Sequence, residues 1–474
     1  MPENVALRQE VEREIAATKF HMENLQKKLY VLAEKLNMTS SIMATLPPDV
    51  LTEIFFLAVQ EGSFNSVPVP YVLGGTCKAW RNIVWSTPLL WSFLIVTLTQ
   101  KNKQTQQTLL EDWIKRSANY PLHVHLTAPG CESSDSYSVL LRSCAQWKSL
   151  MVNSYNSHGL RYKMLDGHPF PLLSHISLYI NPLERFPWNF NATPQLRVLE
   201  LSGRGRPSQI ICDWAIVQDL KATFDVNDWL SILRSMSSLG TCKLILAKHP
   251  IDPATHFNDR DGPHNIPALT KLALQYIGAE TNDEIIFLLR NISVPALERL
   301  EVTTDIPDWF AELKEMLLRS RCSLTELTIR IIASPDSTFE DDLVELLCGV
   351  PSIMHLNLIS KSALSDRLIN ALNPNSSPNT EAQGCLPNLT TFSCNGEISF
   401  SLDSILSMLR AREKTITPES VGAQSPPLKE LESFTIRYRN AAWAQTKNPN
   451  ALRVFYFEMA AFGTKTDVVW DEAA

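Results

Sequence analysis

Glycine is scarce in this chain, 16 residues in 474, about half the usual share. No glycine-rich phosphate loop, no Gly-x-Ser-x-Gly elbow and no His-Glu-x-x-His helix is written anywhere, so the commonest catalytic signatures are missing. The nine cysteines contain no Cys-x-x-Cys pair, which leaves neither a zinc site nor a dithiol redox motif. Cationic excess is lacking too: 43 Lys and Arg face 50 Asp and Glu, a net charge of -7, without a basic stripe interleaved with aromatics. Nucleic acid is therefore not an expected partner. Long apolar runs are absent as well. The longest, Ile83 to Leu98, is broken by Ser86, Thr87, Pro88 and Ser92 and is too short to span a bilayer. The charged, amphipathic N-terminus does not read as an export signal, and an odd cysteine count without export reads as reduced thiols. A cytoplasmic or nuclear protein is expected, in which the Asn-x-Ser/Thr triplets at Asn37, Asn191, Asn291, Asn375 and Asn388 carry no weight.

What is present falls into three regions, 1–40, 42–91 and 92–474. In the first, Val11, Ile15, Thr18, Met22, Leu25, Leu29, Leu32 and Leu36 alternate at steps of four and three, a heptad seam with only Thr18 out of character. The seam fits a coiled-coil pair of chains, in which Glu14 and Lys19 attract when the helices run parallel. It also fits a single helix folded back on its own chain.

The second region contains "LPPDVLTEIFFLAV", Leu46 to Val59. Pro47, Pro48 and Asp49 suit a helix start. Val50, Leu51, Ile54, Phe55 and Ala58 then make one helical face, while Phe56, Leu57 and Val59 widen it beyond what a surface helix needs. A second helix is expected over Leu73, Cys77, Trp80 and Val84, with Lys78, Arg81 and Asn82 outside, followed by a turn at Ser86-Thr87-Pro88 and apolar packing by Leu89, Leu90 and Trp91.

Taken together, Leu-Pro-Pro-acid-x-Leu-x-x-Ile-Phe, Cys-Lys-x-Trp-Arg and Ser-Thr-Pro-x-Leu-Trp, in this order over residues 46–94, resemble an F-box as found in large fungal (basidiomycete-type) F-box families. The preceding leucine-seam helix resembles that family as well. The resemblance implies a small all-α module that docks a Skp-family adaptor, and through it a cullin-RING ubiquitin ligase. Carried over, the implied adaptor contacts are Leu46, Pro47, Pro48, Val50, Leu51, Ile54 and Phe55 with Cys77 and Trp80; some of these equally serve as core of the module. Gly74-Gly75 departs from the family pattern, since glycine weakens a helix by about 1 kcal/mol relative to Ala, and Thr76 is a candidate cap for a helix starting later.

Beyond residue 100 a Pro-x-Leu-x-x-Leu-x-Leu pattern recurs, from Pro171, Pro194, Pro267, Pro295, Cys322, Pro351, Pro387 and Pro426, with Ser237 and Cys144 opening degenerate units. The central spacing lies within or next to the leucine-rich-repeat range of roughly 20–29 residues. Leu-x-Leu on a short strand sends both side chains to one face, and stretches such as "FEDDLVELLCGV" have helical spacing and an acidic start. The expected fold is an α/β solenoid, leucine-rich-repeat-like, a curved parallel sheet with outer helices behind the F-box and heptad helix. A compact α/β domain with Leu-rich strands is the alternative. Insertions are expected at Gly203–Asp219, Asn373–Gly384 and Glu413–Pro426, and Val454–Phe462 as a closing element.

No catalytic centre, cofactor site or metal site emerges. His123 and His125 share one side of a strand but have no third ligand nearby, Cys385 and Cys394 read as buried thiols, and Glu340, Asp341 and Asp342 read as an acidic helix start. The expected function is a non-catalytic substrate receptor of an SCF-type ubiquitin ligase, its solenoid holding a target protein. The alternative is an F-box scaffold outside any ligase, self-associating through Val11–Leu36.

Overall fold

The computed structural model describes residues 2–39, 46–61, 68–97, 103–127, 135–153, 168–180, 187–203, 205–246, 262–276, 283–305, 308–332, 339–374, 385–413, 429–438 and 465–470. They fall into two compact units, one of residues 1–173 with 192–194 and one of the remaining chain. The expected boundary near residue 92 is not a unit boundary, because the helical module and the first strands belong to one unit.

In the first unit the heptad seam lies on one unbroken helix, Pro2–Met38. The Pro48–Glu61 helix starts at the proline pair, with Asp49 in its first turn and Leu51 N–H donating to the Pro47 carbonyl at 3.1 Å. The single second helix expected over Leu73 to Val84 is two helices, Val69–Thr76 and Lys78–Ser86, the latter capped by the Cys77 sulfur, which accepts from Trp80 N–H at 3.5 Å. Thr76 is therefore not the cap. The glycine pair is also accounted for. A Cβ on Gly74 would lie 1.6 Å from the Trp85 ring, so only glycine lets the two helices approach this closely. Arg81 Nε donates to the Gly74 carbonyl at 2.9 Å across the same contact. Beneath them Trp91 is fully buried, edge-on to Trp85, Tyr71 and Trp113 at centroid distances of 5.6, 5.3 and 5.0 Å. The Trp91 indole N–H donates to the Val84 carbonyl and the Trp113 indole N–H to the Trp91 carbonyl. The Arg116 guanidinium stacks over Trp85 and Trp91. Strands β1 (Phe93–Thr97), β2 (Leu122–Thr127) and β3 (Trp147–Asn153) follow and pair in parallel, with helices Lys103–Ser117 and Asp135–Leu141 in the connections.

The second unit is a parallel strand-and-helix array. Its strands are β4 (His175–Tyr179), β6 (Val198–Ser202), β8 (Asp219–Phe224), β9 (Thr241–Leu246), β11 (Lys271–Tyr276), β13 (Arg299–Thr304), β14 (Glu326–Ile331), β15 (His355–Leu364), β16 (Thr391–Ile398), β17 (Ser433–Tyr438) and β18 (Lys465–Trp470), each beside its predecessor in this order. A doubly wound domain reverses strand order partway; here it never reverses. Short pairs, β5 (Trp188–Asn189) with β7 (Ile210–Ile211) and β10 (His264–Asn265) with β12 (Ile292–Ser293), lie apart from the main run. Helices such as Val226–Leu233, Asp283–Arg290, Phe310–Ser320 and Phe339–Gly349 bury one face each.

The Leu-x-Leu reading holds in the strands: Leu272 and Leu274, Leu300 and Val302, Leu327 and Ile329, and Leu356 and Leu358 are buried and meet their counterparts in register. Successive units are bridged by backbone hydrogen bonds. The Thr270 carbonyl accepts from both Glu298 and Arg299 N–H, the Glu298 carbonyl from Thr325 and Glu326, and the Thr325 carbonyl from Met354 and His355. Hydroxyls add to this ladder: Thr270 Oγ1 donates to the Gly240 carbonyl and Thr325 Oγ1 to that of Glu298, each at 3.1 Å.

Three readings need correction. The interval from Pro194 to Ser237, taken as one long step with an insertion, contains an extra unit. Its strand β8 carries Leu220 and Ala222 in place of Leu-x-Leu and has no leading proline. The unit read from Pro426 is shifted by three residues, since β17 buries Phe434 and Ile436 with Leu431 in the corner. Finally, Cys348 and Cys385 are disulfide-bonded with Cα atoms 4.5 Å apart, so Cys385 is not a free thiol. The pairing joins residues 37 apart in sequence, a proximity created by the stacking of successive units. Of the expected insertions Asn373–Gly384 and Glu413–Pro426, residues 375–384 and 414–426 lie outside the described residues, as does the closing element Val454–Phe462.

Candidate functional site

The Pro48–Glu61 helix has two apolar faces. Leu51, Phe55 and Val59, at steps of four, are buried. Phe55 packs on the Trp80 ring at 4.7 Å and Phe56 against Phe93 at 6.0 Å. A third of a turn away Val50, Ile54 and Leu57 remain 43, 46 and 50% exposed. This corrects two expected contacts: Leu51 and Phe55 are spent on internal packing and offer no surface. Cys77 and Trp80 are half-buried and held within the module by the cap and the ring contact. Leu46 is half-buried, while Pro47 and Pro48 are exposed beside Val50. Leu57, absent from the expected set, completes the outer face; its i, i+4, i+7 relation to Val50 and Ile54 was the signal for it.

The Pro2–Met38 helix presents a second apolar surface. Val11, Ile15, Met22, Leu25, Leu29, Leu32 and Leu36 are all exposed, Leu29 by 66% and Leu36 by 72%. Near its end Glu34 pairs with Lys78 at 3.1 Å. The seam is not folded onto the described chain.

In the second unit the strand residues between the buried ones form an open, part-exposed sheet face. A hollow of about 370 Å³ lies there, lined by side chains that include Lys243, Lys271, Arg299, Glu301, Glu326 and Ala273. Arg299 pairs with Glu326 at 3.2 Å and Arg330 with Glu301 at 4.0 Å.

Of the other polar groups singled out in the sequence, His123, His125, Glu340 and Asp341 have structural partners. His123 Nδ1 lies 2.8 Å from Ser149 Oγ and His125 Nε2 3.0 Å from Asn153 Nδ2, each one strand over. Burial holds the His125 ring below its usual pKa. Among the described residues no three His, Cys, Asp or Glu side chains are grouped as a metal site. Glu340 anchors the next helix: Oε1 accepts from Ser365 N–H at 2.9 Å and Leu368 N–H at 3.2 Å, and Oε2 from the Ser365 hydroxyl. Asp341 pairs with Arg367. Two acids that sequence reading did not single out are displaced by their surroundings. Burial, then Asp225 and Asp283, push Glu284 up to about 7. Burial and Asp225 push Asp228 up to about 6. No helix among the described residues is long and apolar enough to cross a membrane. No protein-family model matches the chain, and no curated protein matches it.

Proposed function

We propose that this chain is the substrate-recognition subunit of an SCF-type ubiquitin ligase, its helical module an F-box that binds a Skp-family adaptor and its strand array a divergent leucine-rich-repeat-like solenoid that binds a target protein. The observation that carries the reading is the division of the Pro48–Glu61 helix into a buried face and an exposed one. Val50, Ile54 and Leu57, with Pro47 and Pro48 at the helix start, form an apolar patch beside a core already complete without them. Exposed apolar residues arranged at helical spacing fit a partner's groove. The contact set is then Pro47, Pro48, Val50, Ile54 and Leu57, with Leu46 and Trp80 at its margin. The receptor does no chemistry of its own; it raises the effective concentration of a target lysine near the charged ubiquitin carrier. Its place is the cytoplasm or nucleus, where that machinery works.

Val50→Asp with Ile54→Asp should abolish co-purification of a Skp-family adaptor while circular dichroism stays unchanged, since neither side chain is in the core. Retention of the adaptor by the folded double variant refutes the assigned face.

A second reading is a scaffold outside any ligase, self-associating through the N-terminal helix. The exposed seam favours it: a helix this long, with its apolar positions in water, gains most of its stability from packing. Sedimentation of the full chain against Leu25→Ser with Leu29→Ser tests the association. The abundance of a bound partner with and without proteasome inhibition separates scaffold from receptor, because only a receptor lowers it.

A further inference from the structure

The open sheet face of the second unit has an uneven charge distribution. Lys221 on β8 stands directly across from Lys243 on β9. Lys271 on β11, diagonal to Lys243, stands directly across from Arg299 on β13. Four adjoining strands thus bring four cations together in a chain whose net charge is -7. Arg299 is engaged by Glu326. Glu200, across from Lys221, accepts instead from the Ser177 hydroxyl at 3.3 Å. Lys221, Lys243 and Lys271 have no ion pair among the described residues. Like charges set opposite one another in a sheet repel, so this arrangement works against folding and gains from an added anion.

The space for that anion is present. Ala273 stands across from Lys243 on one side and Glu301 on the other. Its methyl group leaves the hollow of about 370 Å³ open between longer neighbours. Lys243, Lys271 and Arg299 line it, while Glu301 and Glu326 at the far side are drawn towards Arg330 and Arg299. We propose that the Lys221, Lys243 and Lys271 face with the hollow over Ala273 is a docking site for an acidic peptide segment, an Asp or Glu side chain entering the hollow and its neighbours meeting the surrounding lysines. This deepens the receptor reading by naming the chemistry of the target; the site itself does not depend on the ligase. Lysine suits this role, since its flexible point charge follows carboxylates at several spacings where arginine favours one bidentate geometry.

The test uses the full chain and a fluorescein-labelled peptide of alternating Glu and Ala, with alternating Gln and Ala as control, followed by fluorescence anisotropy at 50 mM salt. The Glu peptide should bind and the Gln peptide should not, with affinity falling as salt rises. Lys243→Glu with Lys271→Glu should weaken binding at least tenfold, and Lys115→Glu, on a helix of the first unit, should change it less than twofold. Ala273→Leu fills the hollow without altering charge and should weaken binding about tenfold; being on the open face, it provides a second variant if the charge reversal fails to fold. Absence of binding, equal binding of both peptides, or indifference to both variants overturns the site. Tighter binding of a single-stranded oligonucleotide of the same charge overturns the choice of peptide. Adaptor co-purification by the lysine variants, and peptide binding by Val50→Asp with Ile54→Asp, keep failure of this site distinct from failure of the ligase reading.

Discussion

The strand array and the N-terminal helix treat apolar side chains in opposite ways. In the array, alternate residues of every strand from β8 to β14 are buried, and each strand finds its partner in the next unit of the same chain. Along the Pro2–Met38 helix an equally regular set, from Val11 to Leu36, lies in solvent. Both periodicities were visible in the sequence, yet one is satisfied by stacking along the chain and the other by nothing among the described residues. The module between them does both at once, burying Leu51, Phe55 and Val59 and exposing Val50, Ile54 and Leu57 on one helix. Regular spacing therefore marks an apolar face without showing whether the same chain buries it.

The sharpest way to break this comparison is to damage a region that is internally satisfied. Trp91→Ala removes the centre of the aromatic core, with Trp85, Tyr71 and Trp113 left around a void. A loss of about 3–5 kcal/mol is expected, as for other buried aromatics, measured by urea denaturation with the remaining tryptophans as probes. A loss comparable to a surface substitution would mean that the module is not packed as described. Gly74→Ala is expected to cost about 1–3 kcal/mol by forcing the Trp85 ring aside. Gly75, which has nothing within 4 Å of an added Cβ, is the control, and its alanine variant should be neutral or stabilising.

Much of this was legible because its causes are local. The proline start of the Pro48–Glu61 helix, the Leu-x-Leu strands and the parallel order all follow from short-range pattern. Three features were not. Which of Val50, Leu51, Ile54 and Phe55 faces inward depends on where Trp80 and Phe93 arrive. The unit at β8 escaped because Ala222 stands where the pattern expects leucine and no proline opens it. The Cys348–Cys385 pairing depends on residues 37 apart meeting across the stack, and distance in sequence carries no sign of it. The lysines of the open face were unreadable for the same reason: Lys221, Lys243 and Lys271 become neighbours only through register.

A smaller effect sharpens the contrast between the array's apolar core and its acidic edge. Glu284 begins near 4.5 in a free side chain and is pushed up to about 7 here by burial, Asp225 and Asp283. Between those values the folded protein holds a proton that the unfolded chain has released, so stability falls as pH rises from about 4.5 to about 7. Glu284→Gln removes the Glu284 share of this dependence and leaves that of Asp228, which is pushed up to about 6. Denaturant midpoints across that window should decline in the parent and decline less in the variant. Parallel slopes would show that Glu284 is not the group responsible.

The smallest effect concerns how successive units are joined. Backbone carbonyls of Thr270, Glu298 and Thr325 each take two N–H groups from the following unit, and the hydroxyls of Thr270 and Thr325 reach back to the preceding one. Thr325→Val keeps the shape of the side chain and removes only that hydroxyl bond. The expected loss is about 0.5–1.5 kcal/mol, read as a lower denaturant midpoint with an unchanged slope. The Glu298 carbonyl retains its two backbone donors in the variant, so it is not left unsatisfied. A loss several times larger would mean that the threonine bridge, rather than the carbonyl ladder, holds adjacent units in register. The array would then depend on side chains at each step, as an asparagine-laddered repeat does, instead of on a backbone pattern that tolerates the sequence variation seen from unit to unit.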